Sequence, residues 1–249
     1  MKKKKILAVI PARMASSRFP GKPMANLNGV PMIGHVYNNI KHCSDLDDTI
    51  IATCDTEIKD YILSIGGDVV MTRSDHERAS DRTAEAVQKY EKKLKTKFDI
   101  VIMVQGDEPM VNPEMLSQAV SPFFKFEDTK VSNLMSEIKT SKEFKDRNCI
   151  KVVCDQKFNA IYFSREPIPS TYIQDRVKMH KQVCIIPFER KFLDSYNNMK
   201  PTPLEISESI DMLRIIENGY KVKMVMTDYN SKAVDTPEDL IEVEKLIQQ

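Results

Sequence analysis

Short apolar runs alternate with stretches of helical spacing along the first half of the chain. The runs are of strand length and predict buried strands at residues 6–10, 49–53, 68–72 and 98–104. Between them, apolar residues recur every three or four positions and predict helices at 31–42, 56–65, 80–94 and 112–124. This alternation predicts an α/β fold, with a doubly wound, mostly parallel sheet and right-handed crossovers.

The pattern changes at about residue 130, where strand-like runs come with less helix between them. These runs lie at 131–135, 150–154, 159–163 and 182–188, and the polar segment 165–181 predicts a mobile loop. An amphipathic helix is predicted at 204–218, a strand at 222–226, and a terminal helix that begins at Thr236 and Pro237. We therefore predict an α/β domain of residues 1–129 plus 221–249, and a smaller inserted α+β lobe of residues 130–220.

Composition narrows the class of protein. The 249 residues carry a formal net charge of +1, which gives no argument for nucleic acid or an anionic membrane as partner. The apolar stretches are of strand length, so we expect no membrane insertion and no signal peptide. Five cysteines without a C-x-x-C pair indicate neither a zinc ribbon nor a disulfide framework, and a reducing cytoplasm is the expected location.

The loop after the first strand is the strongest candidate for chemistry. Arg13, Arg18 and Lys22 follow Pro11 closely, and ligands of open α/β sheets bind beyond the carboxyl ends of the strands. Guanidinium groups hold phosphate oxygens in pairs, and lysine acts as a point charge. The loop therefore predicts a polyphosphate site, with an ordinary basic surface loop as the alternative. It matches neither G-x-x-x-x-G-K-[ST] nor G-x-G-x-x-G.

Two aspartates lie where a cation could join that site. Asp107, in VQGDEP, follows the most apolar strand, and a carboxylate there could hold a magnesium ion that bridges phosphates. Asp235, in VDTPEDL, precedes a predicted helix start. The alternatives are a turn residue for Asp107 and a helix cap for Asp235. Oxygen ligands without histidine or cysteine favour magnesium over zinc.

The stretch PARMASSRFPGKP, followed by NGVPMIGHVY, resembles the CMP-Kdo synthetases, the cytidylyltransferases that activate 3-deoxy-manno-octulosonate (Kdo). The resemblance implies transfer of CMP from CTP to a sugar acid with release of pyrophosphate, a Mg²⁺ cofactor, a homodimer formed through the second lobe, and a role in lipopolysaccharide or capsule biosynthesis. It implies as catalytic residues Arg13, Lys22, Asp107 and Asp235, of which the two aspartates bind the metal. It implies as nucleotide contacts Pro11, Ala12, Arg13, Arg18, Lys22, Arg73 and Gln105.

The segment that follows Arg73 departs from the family pattern. The family's H-x-S-G-T-[DE]-R reads here His76-Glu-Arg78-Ala-Ser80-Asp-Arg82. Arg73 matches the nucleotide-contacting arginine of MTR-x-DH, while the role of Arg78 is left open. A charged helix N-terminus capped by Ser80 or Asp81 is the alternative.

The acceptor half departs further. The resemblance implies acceptor contacts at Arg165, Gln182, Glu208 and Asp211. The family has His, Tyr, Glu and Gln where this chain has Gln182, Ile186, Asp211 and Met212. Because lost hydrogen bonds change which hydroxyls a pocket satisfies, we predict a modified or shorter 3-deoxy-2-keto acid as acceptor rather than plain Kdo. Kdo itself is the first alternative, and a non-catalytic nucleotide-binding regulatory protein the second.

Overall fold

The computed structural model describes residues 3–16, 18–172, 178–229 and 231–247, so that residues 173–177 of the predicted 165–181 loop lie outside the described residues. The strands are β1 (Ile6–Pro11), β2 (Asn26–Leu27), β3 (Val30–Pro31), β4 (Asp48–Thr53), β5 (Asp68–Met71), β6 (Ile100–Val104), β7 (Val131–Glu137), β8 (Lys151–Cys154), β9 (Ala160–Ser164), β10 (His180–Val183), β11 (Ile185–Glu189) and β12 (Val222–Met226).

The α-helices are α1 (Met32–Ile40), α2 (Thr56–Ser64), α3 (Ala79–Leu94), α4 (Pro113–Val120), α5 (Pro122–Lys125), α6 (Ser141–Lys145), α7 (Arg190–Asn197), α8 (Pro203–Glu208), α9 (Asp211–Glu217) and α10 (Pro237–Ile247). A short 3₁₀ helix covers Lys22–Met24. None of the described helices combines the length and the apolar character needed to cross a bilayer.

The chain forms two compact units. The first consists of Met1–Ser117 and Asn230–Gln249, and the second of Gln118–Tyr229. The sequence pattern puts the change at residues 129 and 221 instead. The roles assigned to the two parts, nucleotide binding and acceptor binding with dimerisation, stay predictions.

The first unit is built on parallel strands in the order β5-β4-β1-β6. In β1, Val9 lies opposite Ile50 of β4 and Met103 of β6, and all three side chains are buried. Strands that are covered on both faces read as continuous apolar runs, which is why the sequence pattern located them. The strands end at one edge, so that the loops after β1 and β6 are neighbours.

Two glycines allow those neighbouring loops their shape. A Cβ on Gly106 would lie 3.1 Å from the Pro11 carbonyl oxygen and 3.2 Å from Ile33 Cδ1, so a side chain there would push the end of β6 a few tenths of an ångström away from β1. Gly21 has φ 74°, a left-handed conformation that favours glycine, and it precedes the 3₁₀ helix that starts at Lys22.

A small apolar cluster lies beneath the loops of the first unit. It joins residues from β2, α1, the segment before α10, and α10 itself, namely Leu27, Met32, Val234 and Val243, with Phe19, Met110 and Leu240 packed against it. The cluster fixes the positions of Lys22 and Asp235, because each lies close in the chain to one of its members.

The second unit is mostly antiparallel and centred on β7. Strands β10 and β11 pair with β7 in antiparallel fashion, and β12 pairs with it in parallel. Strand β8 joins β10, and β9 joins β8. A bridge between Asn159 and Lys223 then brings the start of β9 to β12, so that five strands of this unit close into a small ring.

The second unit also holds the main departures from the predicted elements. The helix predicted at 204–218 is broken into α8 and α9 at Ser209, which adopts the left-handed conformation with φ 54°. The strand predicted at 182–188 is β10 and β11, separated at Cys184. Helices α6 and α7 were not predicted, because each is too short, at five and eight residues, to show a clear helical period. The helix predicted at 112–124 is likewise two helices, α4 and α5.

Candidate active site

A cavity of about 290 Å³ lies at the carboxyl ends of β1 and β6 in the first unit. Six of the seven residues predicted to contact nucleotide line it, together with one predicted metal ligand: Pro11, Ala12, Arg13, Arg18, Lys22, Gln105 and Asp107. The parallel topology explains this convergence, since ligands bind where the strands end.

Lys22 is held between the two predicted metal ligands. Its Nζ donates to Asp107 Oδ2 at 2.6 Å, to Asp235 Oδ1 at 3.3 Å and to the Val234 carbonyl oxygen at 2.9 Å. The lysine side chain is only 13% exposed. Burial acts to lower the pKa of Lys22, but the charges and hydrogen bonds of Asp107 and Asp235 outweigh it and raise the pKa above its usual value. Lys22 is therefore a positive charge at neutral pH.

Asp235 is not the cap of the helix that follows it. Thr236 and Asp239 exchange hydrogen bonds, with Asp239 N donating to Thr236 Oγ1 and Thr236 N donating to Asp239 Oδ2. This reciprocal pair caps α10 and leaves the Asp235 carboxylate to other partners. Arg18 Nη2 donates to Asp235 Oδ1 at 2.8 Å, beside the contact from Lys22.

Asp107 is joined to the Asp235 segment through the backbone as well. Its carbonyl oxygen accepts from Val234 N at 2.9 Å, while its carboxylate accepts from Lys22. The neighbouring carboxylate of Glu108 is buried and accepts a hydrogen bond from the Ser231 hydroxyl. Glu108 is not among the residues that line the cavity. This difference supports Asp107 over Glu108 as the site's carboxylate.

The donor set suits a hard cation that keeps most of its own water. Oxygens of Asp107 and Asp235 both lie within 3.3 Å of one atom, Lys22 Nζ, so the two carboxylates face the same small volume. The described residues contain no group of three or more His, Cys, Asp or Glu side chains that could hold a metal ion. Mg²⁺ is commonly bound by one or two carboxylates plus substrate phosphates, so the residues present fit magnesium.

Two arginines at the start of α3 also belong to the site. The sequence left the role of Arg78 open and did not point to Arg82. Arg78 and Arg82 line the cavity. Arg82 is 2% exposed, and its Nη1 donates to Thr72 Oγ1 at 2.5 Å and to the Arg73 carbonyl oxygen at 3.3 Å. Arg73 itself is exposed, pairs with Asp75 and is not part of the lining. Its predicted nucleotide contact stays a prediction.

A histidine–glutamate pair supports this edge of the cavity. His76 Nε2 contacts Glu85 of α3, and the His76 carbonyl oxygen accepts from Arg13 Nη1 at 3.2 Å. Burial acts to raise the pKa of Glu85, but hydrogen bonds from Lys89, His76 and the Arg73 backbone lower it to about 2. Glu85 is thus a charged anchor for the segment that carries Arg78.

The predicted acceptor residues of the second unit have structural partners. Arg165 Nε donates to the Glu208 carbonyl oxygen at 2.6 Å and Nη1 to the Arg147 carbonyl oxygen at 2.9 Å, with a longer contact from Nη2 to Ser209 O. The Glu208 carboxylate accepts from the Arg165 backbone and from the Ser164 hydroxyl, both at 2.8 Å. The two residues therefore fix the left-handed turn at Ser209, and contact with an acceptor stays a prediction for both.

The altered positions are also explained by packing. Gln182 Nε2 donates to Asn133 Oδ1 at 2.5 Å, and Asn133 is fully buried in β7. Ile186 is 3% exposed and Met212 is 0% exposed. Asp211 begins α9, where a negative charge is favourable beside the helix N-terminus. Burial explains why positions 186 and 212 are apolar, so their apolar character does not by itself indicate which acceptor the protein binds.

A buried lysine in the second unit has no counterpart among the predicted residues. Lys151 is 0% exposed, and its Nζ donates to the carbonyl oxygens of Asp146, Cys149 and Arg165. Burial lowers its pKa. The one weak signal in the sequence is a lysine at the start of an apolar run, which does not reveal the lysine's partners.

Comparison with known proteins agrees with this geometry. Residues 7–227 match the family model described as cytidylyltransferase. The chain is 39% identical over 244 residues to the 3-deoxy-manno-octulosonate cytidylyltransferase of Acaryochloris marina, an alignment that covers 98% of each chain. It is 40% identical over 247 residues to the protein of that name from Pelobacter propionicus, covering 95% of this chain and 94% of the relative.

Solved structures point the same way. The structure of a CMP:2-keto-3-deoxy-manno-octonic acid synthetase complexed with CTP superposes with a TM-score of 0.90 at 32% identity, covering 98% of this chain and 99% of that one. The 4-diphosphocytidyl-2C-methyl-D-erythritol synthase of Anaerococcus prevotii, at 16% identity and a TM-score of 0.64, shares the fold. The predicted fold class is confirmed, and the chain belongs to the cytidylyltransferase family, among the 3-deoxy-manno-octulosonate cytidylyltransferases.

Proposed function

We propose that this enzyme transfers CMP from CTP to 3-deoxy-manno-octulosonate and releases pyrophosphate. The observation that carries the proposal is the cluster of Lys22, Arg18, Asp107 and Asp235 at the ends of parallel strands, in a chain of this family. Such a cluster offers cations for phosphate oxygens and carboxylates for a metal within one cavity.

The nucleotide is bound by the residues that line the cavity. Lys22, Arg18 and Arg13 supply positive charge to the triphosphate. Gln105, which follows β6, carries an amide that both donates and accepts, as the edge of cytosine requires. Arg82 is buried against Thr72, and its Nη2 is a hydrogen-bond donor that has no partner among the described residues. We propose that Arg82 Nη2 donates to the bound nucleotide.

Asp107 and Asp235 would hold the magnesium ion. When bound, the ion supplies neutralising charge to the phosphate oxygens and fixes their orientation. Asp107 is placed by the backbone contact to Val234, and Asp235 by the capped start of α10, so neither carboxylate depends on the metal for its position.

The chemistry asked of the protein is positioning and charge stabilisation. A hydroxyl of the acceptor, the anomeric one by resemblance to the family, attacks the α-phosphorus in line while pyrophosphate leaves. Lys22 and Arg18 remain beside the leaving group and stabilise its growing negative charge. Among the described residues, the cavity lining offers no Ser-His-Asp or Cys-His arrangement, and we propose direct transfer without a covalent enzyme intermediate.

Kdo is the acceptor that the relatives' names support. The sequence alone predicts a modified or shorter acid, but the buried positions of Ile186 and Met212 remove most of that argument. A related 3-deoxy-2-keto acid stays the second candidate, because Gln182 stands where the family has histidine. We assign acceptor binding to the second unit, with Arg165, Gln182, Glu208 and Asp211 as its candidate residues.

Assembly and setting complete the proposal. Several large apolar side chains of the second unit are exposed, among them Ile206 (63%), Ile161 (56%) and Phe158 (49%), and we propose that such residues form the interface of a C2 homodimer. Five free thiols suit a reducing cytoplasm, where we place the reaction. The product would serve lipopolysaccharide or capsule synthesis.

Product analysis tests the proposed function. Purified enzyme with Mg²⁺, CTP and Kdo should yield CMP-Kdo and pyrophosphate, identified by mass spectrometry, with UTP, ATP and GTP as competing donors. Preference for another nucleotide would contradict the cytidine assignment. Binding of CTP without turnover on any 3-deoxy-2-keto acid would favour the non-catalytic alternative. Sedimentation as a monomer at micromolar concentration would contradict the dimer.

A further inference from the structure

Lys22 and a metal ion would need the same oxygen atoms. Lys22 Nζ lies 2.6 Å from Asp107 Oδ2 and 3.3 Å from Asp235 Oδ1. Mg²⁺ binds carboxylate oxygens at about 2.1 Å. A cation on both oxygens would therefore lie within a few ångströms of the ammonium group, where like charges repel strongly because little water separates them.

The charges around these oxygens are already balanced. Two carboxylates face the Lys22 ammonium, and Arg18 adds a second positive charge 2.8 Å from Asp235 Oδ1. A divalent cation that arrived alone would add two positive charges and displace Lys22 from its carboxylates. A triphosphate that arrived with the cation would bring anionic oxygens for Lys22 at the same time.

We propose that Lys22 acts as a specificity-determining residue, which excludes a free divalent cation from Asp107 and Asp235 and admits the cation only together with a polyphosphate. The proposal rests on the proposed function for the identity of that polyphosphate, but the competition between Lys22 and the cation rests on the geometry alone. It gives Lys22 a role beyond contact with phosphate.

Metal binding without nucleotide tests the exclusion. The full chain is titrated with Mn²⁺ alone, and free Mn²⁺ is measured by its electron paramagnetic resonance signal. Lys22→Met should bind Mn²⁺ at least about tenfold more tightly than wild type, since a like charge is removed from the site. Lys59→Met is the matched control, because Lys59 lies on the surface beside Asp60 and should change nothing.

A second variant and a double variant locate the effect. Lys22→Gln keeps a polar side chain and should show the same gain, while Lys22→Met combined with Asp235→Asn should lose it. Circular dichroism confirms that each variant is folded. If both folded Lys22 variants bind Mn²⁺ no more tightly than wild type, the proposal is overturned.

Nucleotide supplies the second half of the test. Addition of CTP should tighten Mn²⁺ binding to wild type by at least about ten times more than it does for Lys22→Met, because only the wild type has an ammonium to displace. Equal tightening in both would overturn the proposal. If the wild type makes CMP-Kdo but Lys22→Met gains no Mn²⁺ affinity, only the exclusion of free cations is refuted. If Lys22→Met gains Mn²⁺ affinity but the wild type makes no CMP-Kdo, only the proposed function is refuted.

Discussion

Two pairs of cations, one pair in each unit, are held by different kinds of partner. In the first unit, Lys22 and Arg18 are paired with the carboxylates of Asp107 and Asp235, and Lys22, Arg18 and Asp107 line a cavity. In the second, Lys151 and Arg165 donate to backbone carbonyl oxygens. A cation on a carboxylate can exchange that partner for a ligand, whereas a cation on several backbone carbonyls holds the chain in place.

The difference teaches how to separate binding residues from structural ones without a bound ligand. A pair of opposite charges beside a cavity can exchange either partner for a charged ligand. Removal of a cation that donates to several backbone carbonyl oxygens leaves those oxygens without their donor. This criterion supports our proposal that the first unit binds the nucleotide, and it predicts that the candidate acceptor residues of the second unit lie in a rigid backbone framework.

The largest effect expected is loss of turnover on removal of a metal ligand. Asp107→Asn or Asp235→Asn should lower the rate of pyrophosphate release by roughly 10³-fold or more, since each removes a negative charge from the metal site. Circular dichroism should show the wild-type fold, because asparagine keeps a polar side chain of the same size at each position. A variant that unfolds, or that keeps near-normal magnesium-dependent turnover, would contradict the proposal that its carboxylate serves turnover rather than the fold.

The next effect concerns stability in the second unit. Lys151→Met removes a fully buried side chain whose ammonium donates to three carbonyl oxygens, and a buried polar group without its partner costs about 1–3 kcal/mol. We therefore expect a destabilisation of about 2 kcal/mol by urea titration. Lys130→Met, which removes a partly exposed pair with Glu189, should cost less than about 1 kcal/mol. Equal stability of the two variants would mean that Lys151 does not hold the scaffold.

Glu85 is an exception to the comparison, because it is a charged side chain of the first unit that we expect to stabilise the fold. The folded pKa of Glu85, about 2, lies below its ordinary value of 4.5, so its contacts stabilise the fold above pH 4.5 and are lost as the pH falls toward 2. Glu85→Gln should cost on the order of 3 kcal/mol at pH 7, and its gap from wild type should narrow on acidification. Urea titrations between pH 7 and pH 3 measure this, with the exposed Asp60→Asn as control. A constant gap would exclude Glu85 as the titrating anchor.

The smallest effect concerns reading of the base. Gln105→Ala should reduce the preference for CTP over UTP by roughly tenfold, the value of about one hydrogen bond. Competition between the two nucleotides in one reaction measures it directly. Lys59→Ala serves as the control, because Lys59 lies on the surface beside Asp60, outside the cavity lining, and should leave the preference unchanged. An unchanged preference in Gln105→Ala would remove that residue from base recognition.

The sequence was most informative where a residue's role follows from its place at the end of an element. Asp107 follows β6 and Lys22 lies in the loop after β1, so parallel topology brings these two residues to one edge of the sheet. The same reasoning predicted the order of strands and helices in the first unit, because buried parallel strands are continuous apolar runs. Asp235 was selected by resemblance to the family, because its position before a helix start favours only a cap.

The sequence was least informative where partners lie far apart in the chain. Nothing local to Arg165 shows that its guanidinium donates to Glu208, Arg147 and Ser209, and nothing local to Ser209 shows that it breaks the helix predicted there. Burial of Met212 and Ile186 is likewise a property of the folded unit. Each of these features depends on tertiary contacts, which local pattern and propensity do not encode.

Steady-state kinetics with Kdo test the central claim most directly, namely that an intact nucleotide site in the first unit serves a Kdo-binding second unit. With saturating CTP and Mg²⁺, the account predicts a kcat/KM for Kdo above about 10⁴ M⁻¹s⁻¹, the ordinary enzymatic range. An efficiency for Kdo far below that range, together with an ordinary value for another 3-deoxy-2-keto acid, would show that the altered positions of the second unit select a different acceptor.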